Sequence, residues 1–380
     1  MTQPDTEIRR AETPDDLEEH VEPDVYLEWQ RREGVKVIID YAFESLATLE
    51  LGDWERKGGS GAIINIPGRG LLNDSHVVEI RPGGKSEPEH HMYEETVYVV
   101  SGRGATSVWL DEGHKQTFEW HEGSLFAIPL NAWYQHFNAS GSEPARYLAV
   151  TNAPPVMRQW RDLDFIFGDT FHFQNRFSGD GDYFSASGKA YKRRKWVTNF
   201  VPNASTLPLY DYLTRGAGGI QAHIEMAQNV NRCHISEFPV GTYKKAHRHG
   251  PGAHLVILSG VGFSLLWNKD DRSDMRKADW KVGGMVIVPA EGTFHQHFNA
   301  GPTRARYMAL RPGNGSAAGN FRGTDVDINE GGGQIEYTNE DREIHEIFEA
   351  ELARNDAPCR MKSFVSWCNG VVGPTREGET

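Results

Sequence analysis

Short runs of β-branched and aromatic residues, each ended by glycine or proline, fill the middle of the chain. Residues 96–102 read TVYVVSG and residues 254–260 read HLVILSG, while residues 124–129 and 285–289 read SLFAIP and MVIVP. Such runs are typical of β-strands, because branched and aromatic side chains suit a pleated sheet and glycine or proline ends the strand. Short strands separated by turns at regular spacing predict small antiparallel barrels or sandwiches.

The strand pattern occurs twice in the chain. Residues 76–109 align with residues 234–267 without a gap, and residues 120–139 align with residues 280–300 with one inserted residue. The pentapeptide Gln-His-Phe-Asn-Ala ends both of the second blocks. Self-similarity of this kind indicates that one structural unit is repeated. The chain is therefore predicted to contain two copies of one β-domain.

Outside the repeats, helical periodicity predicts two helices, at residues 16–32 and 339–355. In the second of these, Ile344, Phe348 and Leu352 share one face. Five segments follow from these patterns. They are an N-terminal helical or extended segment (1–60), a first barrel (61–155), an aromatic-rich connecting segment (156–230), a second barrel (231–312), and a glycine-rich arm with the C-terminal helix (313–380).

Composition narrows the class of protein. The hydrophobic share of 38 % in 380 residues is enough for a sizeable core, and no apolar run is long enough to cross a membrane. A net charge of −13 argues against a nucleic-acid-binding surface, and the N-terminus lacks the apolar stretch of a secretory signal. The three cysteines are too few and too scattered for a disulfide framework, and no CxxC pair marks a zinc ribbon. We expect a cytoplasmic protein with no membrane or nucleic-acid partner.

Histidines cluster in the second copy. His247 and His249 flank Arg248 on a predicted strand, so their side chains point to the same face, and His295 follows the next strand and turn. Three buried imidazoles without a partner would be costly. Neutral imidazoles on rigid strands can hold a divalent first-row metal and leave coordination positions open. We predict that His247, His249 and His295 are metal ligands.

These residues resemble the two motifs of the cupin superfamily, G(x)5HxH(x)3–4E(x)6G and G(x)5PxG(x)2H(x)3N. The second copy matches the first motif at Gly241, His247, His249 and Gly260. It matches the second motif, with one extra residue before Gly292, at Gly283, Pro289, Gly292, His295 and Asn299. The resemblance implies an all-β-dominated bicupin, with two tandem double-stranded β-helix (jelly-roll) barrels and helical extensions at both ends.

The second copy departs from the motif at one ligand position. Ala253 stands where the family has glutamate, which leaves a three-histidine site. The segment HRHGPGAHLVILSG is similar to the HRH motif of gentisate and 1-hydroxy-2-naphthoate dioxygenases, which are bicupins that also lack this glutamate. That similarity implies Fe(II), with Mn, Ni or Zn as the other metals that cupins use.

The first copy has lost the histidine set. Its ligand positions hold Glu89, His91, Glu95 and Tyr134. A barrel retained for packing is one interpretation, and a second metal site built from these four residues is the other.

We expect a non-haem Fe(II) dioxygenase that cleaves a small aromatic or enolisable acid with O2. Tyr243 and Lys245 precede His247 by two and four residues, so a regular strand would point both into the barrel mouth, where they can orient an anionic substrate. Lys245 in solvent is the alternative. His297 is a third catalytic candidate, although its recurrence as His136 in the degenerate copy favours a structural role.

Two further function classes remain open. One is a Mn-, Ni- or Zn-dependent lyase, isomerase or decarboxylase that needs no O2, and the other is a non-enzymatic bicupin that binds a small ligand. We also expect a homo-oligomer, because the terminal extensions are of the kind that exchange between subunits. Four repeated residues, His76 with His234 and Arg146 with Arg306, are predicted to be structural, and His254 is predicted to point out of its barrel.

Overall fold

The computed structural model describes residues 23–68, 72–111, 114–191, 195–268, 271–290, 292–313 and 323–371. Four α-helices lie in these ranges: α1 (Val25–Glu33), α2 (Ala153–Trp160), α3 (Leu163–Gly168) and α4 (Arg342–Arg354). Of the helix predicted at residues 16–32, residues 16–22 lie outside the described ranges, and α1 covers Val25–Glu33. The second predicted helix is confirmed as α4, with Ile344, Phe348 and Leu352 buried along one face.

β-Strands make up most of the regular structure, as predicted. Up to the end of the first repeat they are β1 (Lys36–Ile39), β2 (Ala42–Phe43), β3 (Gly52–Trp54), β4 (Gly59–Asn65), β5 (Asp74–Ile80), β6 (Glu95–Ser101), β7 (Arg103–Trp109), β8 (Gln116–His121), β9 (Leu125–Ile128), β10 (Trp133–Asn138) and β11 (Ala145–Thr151). After it come β12 (Lys189–Tyr191), β13 (Lys195–Val197), β14 (Phe200–Val201), β15 (Tyr210–Asp211), β16 (Ile220–Glu225), β17 (Asn231–Phe238), β18 (Ala253–Ser259), β19 (Val261–Asn268), β20 (Asp271–Lys281), β21 (Met285–Val288), β22 (Phe294–Asn299) and β23 (Ala305–Pro312).

The strands form two barrels with the same topology. In the first, an eight-stranded sheet runs β1-β4-β5-β11-β6-β9-β14, with β3 beside β4, and faces a three-stranded sheet, β10-β7-β8. In the second, a nine-stranded sheet runs β12-β13-β16-β17-β23-β18-β21-β2, with β15 beside β16, and faces β20-β19-β22. Two packed sheets with this matching strand order are the jelly-roll arrangement that the resemblance to cupins implied.

Each barrel takes its last edge strand from the other half of the chain. β2, which precedes the first barrel, pairs with β21 of the second, and β14 from the connecting segment pairs with β9 of the first. An arginine on the final strand of each barrel holds the chain that follows the exchanged strand. Arg146 binds Glu79 and the carbonyls of Leu46 and Leu49, and Arg306 binds Glu237 and the carbonyls of Ala204, Ser205 and Leu207. The predicted structural role of these arginines is confirmed.

Apolar side chains fill four clusters. One lies inside each barrel, and a third lies between them, where Ile64 and Val77 of the first barrel pack with Val256 and Met308 of the second. The fourth covers the outer face of the sheet β20-β19-β22, beneath α4. No helix within the described ranges is long and apolar enough to pass through a lipid bilayer.

Candidate metal centre

The strand β22 places two histidines inside the second barrel. Alternate side chains of a strand face opposite sides, so His295 and His297 point inward while Phe294 and Phe298 pack outward under α4. The segment before β18 runs antiparallel to β22, and His247 and His295 exchange both backbone hydrogen bonds at 3.0 and 2.9 Å. This pairing fixes the two imidazoles side by side, with ring centres 4.2 Å apart.

His249 completes the predicted set. Its ring centre lies 4.7 Å from that of His295, and one ring nitrogen from each of His247, His249 and His295 lies within 4.8 Å of the other two. The structure therefore brings the three predicted ligands together. They do not share a regular strand, however, because residues 243–249 form only isolated bridges.

Each of the three imidazoles is held by the backbone two residues away. The Nδ1 atoms of His247, His249 and His295 lie 3.2, 2.6 and 3.1 Å from the carbonyl oxygens of Lys245, Pro251 and Thr293. Since a carbonyl only accepts, each Nδ1 must carry the proton, which leaves the Nε2 lone pair free. Anchored Nδ1–H groups with free Nε2 atoms are the arrangement found in histidine metal sites.

Electrostatics keep the set neutral. Burial, followed by the charges of Arg215 and neighbouring histidines, lowers the pKa of His247 well below its usual value, and burial lowers the pKa of His295 to about 3. Neutral imidazole is the form that binds metal. Ala253, which is buried inside the barrel, supplies no fourth ligand. The residues present therefore fit a divalent cation on three neutral nitrogens.

Two arginines that the motifs did not single out lie close to this set. Burial is the largest cause that lowers the pKa of His249 and His295. The charges of Arg215, in the turn after β15, and of Arg311, on β23, lower both pKa values further. Arg311 is half-buried, and burial together with the charge of Arg215 lowers its pKa to about 10. Arg215 donates to Gln334 Oε1 at 3.0 Å and to Thr324. Two cations therefore share the surroundings of the histidine set.

A signal for one of these arginines lies just beyond the repeated blocks, where the pairing of Arg306 with Arg146 continues the alignment. Arg311 aligns with Thr151 of the first copy, so the cation appears only in the copy that keeps the histidines. Arg215 lies outside the repeated blocks and had no comparable signal.

The orientation expected for Tyr243 and Lys245 is wrong. The hydroxyl of Tyr243 lies 2.5 Å from Glu340 Oε1 and 3.1 Å from His345 Nδ1, in the apolar cluster beneath α4. Lys245 pairs with Glu336 at 2.5 Å. The alternation of a regular strand fails here because the segment has only isolated bridges. Lys244 points inward instead, with its amine over the rings of Phe238 and Tyr307.

His297 belongs to a hydrogen-bonded group that occurs in both barrels. Its Nδ1 lies 2.8 Å from Ser264 Oγ, which accepts from Trp280 Nε1 at 3.1 Å. The first barrel repeats this arrangement with His136, Thr106 and Trp120, at 2.7 and 2.9 Å. The recurrence supports a structural role for His297. Its ring centre lies 5.5 Å from that of His295, so a catalytic role for His297 stays a prediction.

Other histidines occupy structural positions. His254 is fully buried on the face of β18 that points towards the first barrel, where its Nδ1 lies 3.3 Å from Asn73 Nδ2. It therefore lies outside its own barrel, as predicted. His76 packs edge-on against Trp54, and His234 packs edge-on against Tyr307.

In the first barrel a lysine lies among the residues at the ligand positions. Glu89 and Tyr134 form the backbone bridge that corresponds to His247 and His295, and the buried amine of Lys57 lies 2.5 Å from Glu89 Oε1 and 3.4 Å from the Tyr134 hydroxyl. His91 Nε2 contacts Tyr134 and Glu95 at 3.1 and 3.3 Å.

Lys57 carries its positive charge in this position. Burial opposes the charge, but the carboxylates of Glu89 and Glu95 raise the pKa of Lys57 above its usual value. An ammonium group thus balances the carboxylates, which favours the interpretation that this barrel is retained for packing. Lys57 precedes the repeated block, so comparison of the copies could not find it.

Comparison with known protein families agrees with this architecture. Residues 76–151 match the family model described as the cupin domain. The matched segment lies within the first barrel. Because the second barrel repeats its sequence and its strand order, the chain folds as two tandem cupin barrels.

Solved structures of a bicupin enzyme also match the chain. One, concerning the Mn(II) centres of Bacillus subtilis oxalate decarboxylase, is 14 % identical over 74 % of this chain and 79 % of its own, with a TM-score of 0.45. A mutant of the same enzyme is 15 % identical over the same shares, with a TM-score of 0.46. No curated protein matches the chain significantly. The narrower resemblance to gentisate and 1-hydroxy-2-naphthoate dioxygenases finds no support in these comparisons.

Proposed function

We propose that the protein is a metal-dependent cupin enzyme that acts on a small, doubly charged carboxylate in the second barrel. The observation that carries this proposal is the combination of three neutral nitrogen donors, on His247, His249 and His295, with two cations, Arg215 and Arg311.

Charge balance defines the substrate class. A divalent ion held by neutral imidazoles keeps its full charge, and the two guanidinium groups add to it in a buried region where charges are weakly screened. An anion with one carboxylate and a second anionic oxygen, from a carboxylate, enolate or phenolate, compensates this charge. Guanidinium groups bind carboxylates through paired hydrogen bonds, so they also orient the substrate.

The side chains divide the work. His247, His249 and His295 would hold the metal, which would supply a Lewis acid for the substrate oxygens. Arg215 and Arg311 bind and orient the carboxylate, and Gln334 and Thr324 hold Arg215 in place through hydrogen bonds. The backbone carbonyls that bind the three Nδ1–H groups keep the imidazoles fixed during the reaction.

A non-oxidative lyase or decarboxylase reaction, with Mn, Ni or Zn, is the main proposal. Loss of carbon dioxide leaves negative charge on the substrate, and fixed cations such as Arg215 and Arg311 stabilise charge that develops in the transition state. This role for the arginines requires no oxidant.

An Fe(II) dioxygenase is the second candidate. The observation in its favour is Ala253, because a site without a carboxylate ligand leaves coordination positions for both a chelating substrate and O2. The expectation of a small aromatic or enolisable acid as substrate belongs to this candidate.

The test compares metals and atmospheres. Metal-stripped protein is reconstituted separately with Mn, Ni, Zn and Fe(II), and supplied with dicarboxylates or hydroxylated aromatic acids under air and under nitrogen. We expect substrate loss and carbon dioxide release under both atmospheres, without oxygen uptake. Oxygen uptake equal to substrate loss, with no turnover under nitrogen, would establish the dioxygenase instead. Binding without turnover under every condition would support the non-enzymatic alternative.

A further inference from the structure

A second group of metal-binding side chains lies between α4 and the chain that follows it. His345 and Glu349 are one turn apart on α4, and Cys359 and Cys368 come from the tail at residues 357–371. The structure brings together two cysteines that are nine residues apart in the sequence and were predicted to be scattered. One ligand atom from each of the four residues lies within 4.8 Å of the others.

We propose that His345, Glu349, Cys359 and Cys368 form a tetrahedral zinc site that fastens the tail to α4. Zinc–nitrogen bonds of about 2.0 Å and zinc–sulfur bonds of about 2.3 Å give tetrahedral edges of roughly 3.3–3.8 Å. The two sulfur atoms are 3.5 Å apart, and Cys359 Sγ lies 3.8 Å from His345 Nε2. Glu349 Oε1 lies 3.1 Å from His345 Nε2 and 3.9 Å from Cys368 Sγ. These four edges are close to the size that zinc requires.

The groups around the site orient its ligands. His345 Nδ1 lies 3.1 Å from the Tyr243 hydroxyl, so its Nε2 faces the sulfur atoms. Cys368 Sγ accepts the backbone N–H of Gly370 at 3.2 Å. Support of this kind for a ligating histidine and a thiolate is typical of metal sites.

The chemistry of the donors favours zinc over harder cations. Thiolates select soft or borderline metals such as zinc, whereas Mg²⁺ and Ca²⁺ prefer oxygen ligands. His345 and Cys368 are buried, and the Glu349 side chain is 41 % exposed, so an ion can reach the site from solvent. Burial raises the pKa of the Cys359 thiol to about 12, and zinc binding would displace the thiol protons.

The tail has no regular secondary structure that would hold it in place. Residues 357–371 form turns without a helix or strand, and they contact α4, Tyr337 and the chain around Gly241. Arg360 N donates to Gly241 O at 2.8 Å, and the carbonyl of Pro358 lies where a side chain at residue 241 would be. Tyr243, which contacts His345, lies four residues before His247. The zinc site therefore supports the wall of the barrel that carries the histidine set.

The proposal is tested by measuring the zinc content of the His247→Ala variant, purified with a thiol reductant. This variant lacks one ligand of the histidine set in the second barrel, so zinc bound there does not confuse the result. We expect one zinc per chain, lost in the double variants that add Cys359→Ser or Cys368→Ser and kept when Cys233→Ser is added. Cys233 is a buried cysteine outside the cluster and controls for loss of a thiol.

X-ray absorption at the zinc edge of the same His247→Ala protein needs no cysteine variant. We expect two sulfur ligands at about 2.3 Å. A zinc shell of nitrogen and oxygen alone, no bound zinc after loading, or a Cys359–Cys368 disulfide in protein that binds no zinc would overturn the proposal.

Discussion

The metal centre depends on where single protons and charges lie. In the second barrel three Nδ1–H groups are tied to carbonyls, so the Nε2 atoms face a common point, and burial keeps the imidazoles neutral by lowering their pKa values. In the first barrel Lys57 supplies a fixed cation between Glu89 and Glu95. The two barrels share a fold but balance the charges of their buried side chains differently. We therefore expect different effects from substitutions in each.

Arg215→Ala should weaken substrate binding without removing the metal. Truncating one member of a buried charge pair costs about 2 kcal/mol or more, which corresponds to roughly a 30-fold rise in KM. Steady-state kinetics and metal analysis on the same preparation check this. Arg232→Ala is the control, because the Arg232 side chain is 54 % exposed and pairs with Glu225. An unchanged KM in Arg215→Ala would remove this residue from the substrate site.

Lys57→Met should destabilise the first barrel strongly. It leaves the buried carboxylates of Glu89 and Glu95 without their cation, and breaking a buried pair in this way costs about 3–5 kcal/mol. The measurement is urea unfolding, with Lys85→Met as the control because Lys85 is exposed. If both variants unfold at the wild-type midpoint, Lys57 does not hold the first barrel together.

At the scale of strands and helices, the sequence predicted structure correctly where apolar or ligand residues recur at a regular spacing. The β-branched runs predicted strands such as β6 and β18, and the spacing around His295 predicted its inward direction. Irregular segments carried no such period. Residues 243–249 run alongside β22 with isolated bridges, so side-chain directions counted from His247 were wrong for Tyr243.

The site was predictable only in part, for the same physical reason. The three histidines could be predicted because their spacing on two strands is local and matches the cupin motifs. Lys57, Arg215 and the C-terminal cysteines lie outside those motifs and reach their sites through tertiary packing. No local pattern encodes such contacts between residues far apart in the sequence.

The arginine that secures each exchanged strand gives a prediction at this scale. Arg306→Ala should lower the free energy of unfolding by about 1–3 kcal/mol, because it leaves carbonyls at residues 204–207 without their donor. Arg304→Ala is a matched control, since Arg304 pairs with the same Glu237 but is 51 % exposed, and should cost about 0–1 kcal/mol. Equal effects of the two variants in chemical denaturation would mean that the carbonyl contacts contribute nothing.

At the scale of the whole molecule, exchanged strands and a shared apolar cluster join the two barrels. β2, which precedes the first barrel, completes the sheet of the second, and β14 from the connecting segment completes the sheet of the first. His254 lies buried between the barrels. Unfolding of one barrel therefore exposes the edge of the other, and we expect a single cooperative transition. Assembly into a homo-oligomer stays a prediction, to be checked by light scattering.

The buried histidines make stability depend on pH. Burial lowers the pKa of His76 and His254 to about 3 and of His136 to about 4, whereas the unfolded chain protonates them near 6.5. Their contribution is therefore complete above pH 6.5 and is lost as the pH falls towards 4, by up to about 1.4 kcal/mol per pH unit for each histidine. Burial raises the pKa of Asp74 to about 6 and of Glu340 to about 7, so these two carboxyl groups lower the stability as the pH rises. They oppose the effect of the three histidines but are fewer.

Urea unfolding at about pH 7.5 and about pH 5.5 measures this dependence. We expect lower stability at the lower pH, and a smaller loss in His254→Asn, which removes one of the titrating groups. Equal stability of the wild-type protein at the two values would contradict the assignment of neutral, buried imidazoles.

Metal analysis of the wild-type protein and of His247→Ala, with His254→Ala as a control for loss of a buried imidazole, is the most direct test of the metal centre in the second barrel. Both variants are compared with wild type in folded protein purified under identical conditions. The account predicts that His247→Ala loses one metal ion per chain together with activity, while His254→Ala keeps that ion. The same metal content in wild type and His247→Ala would contradict it.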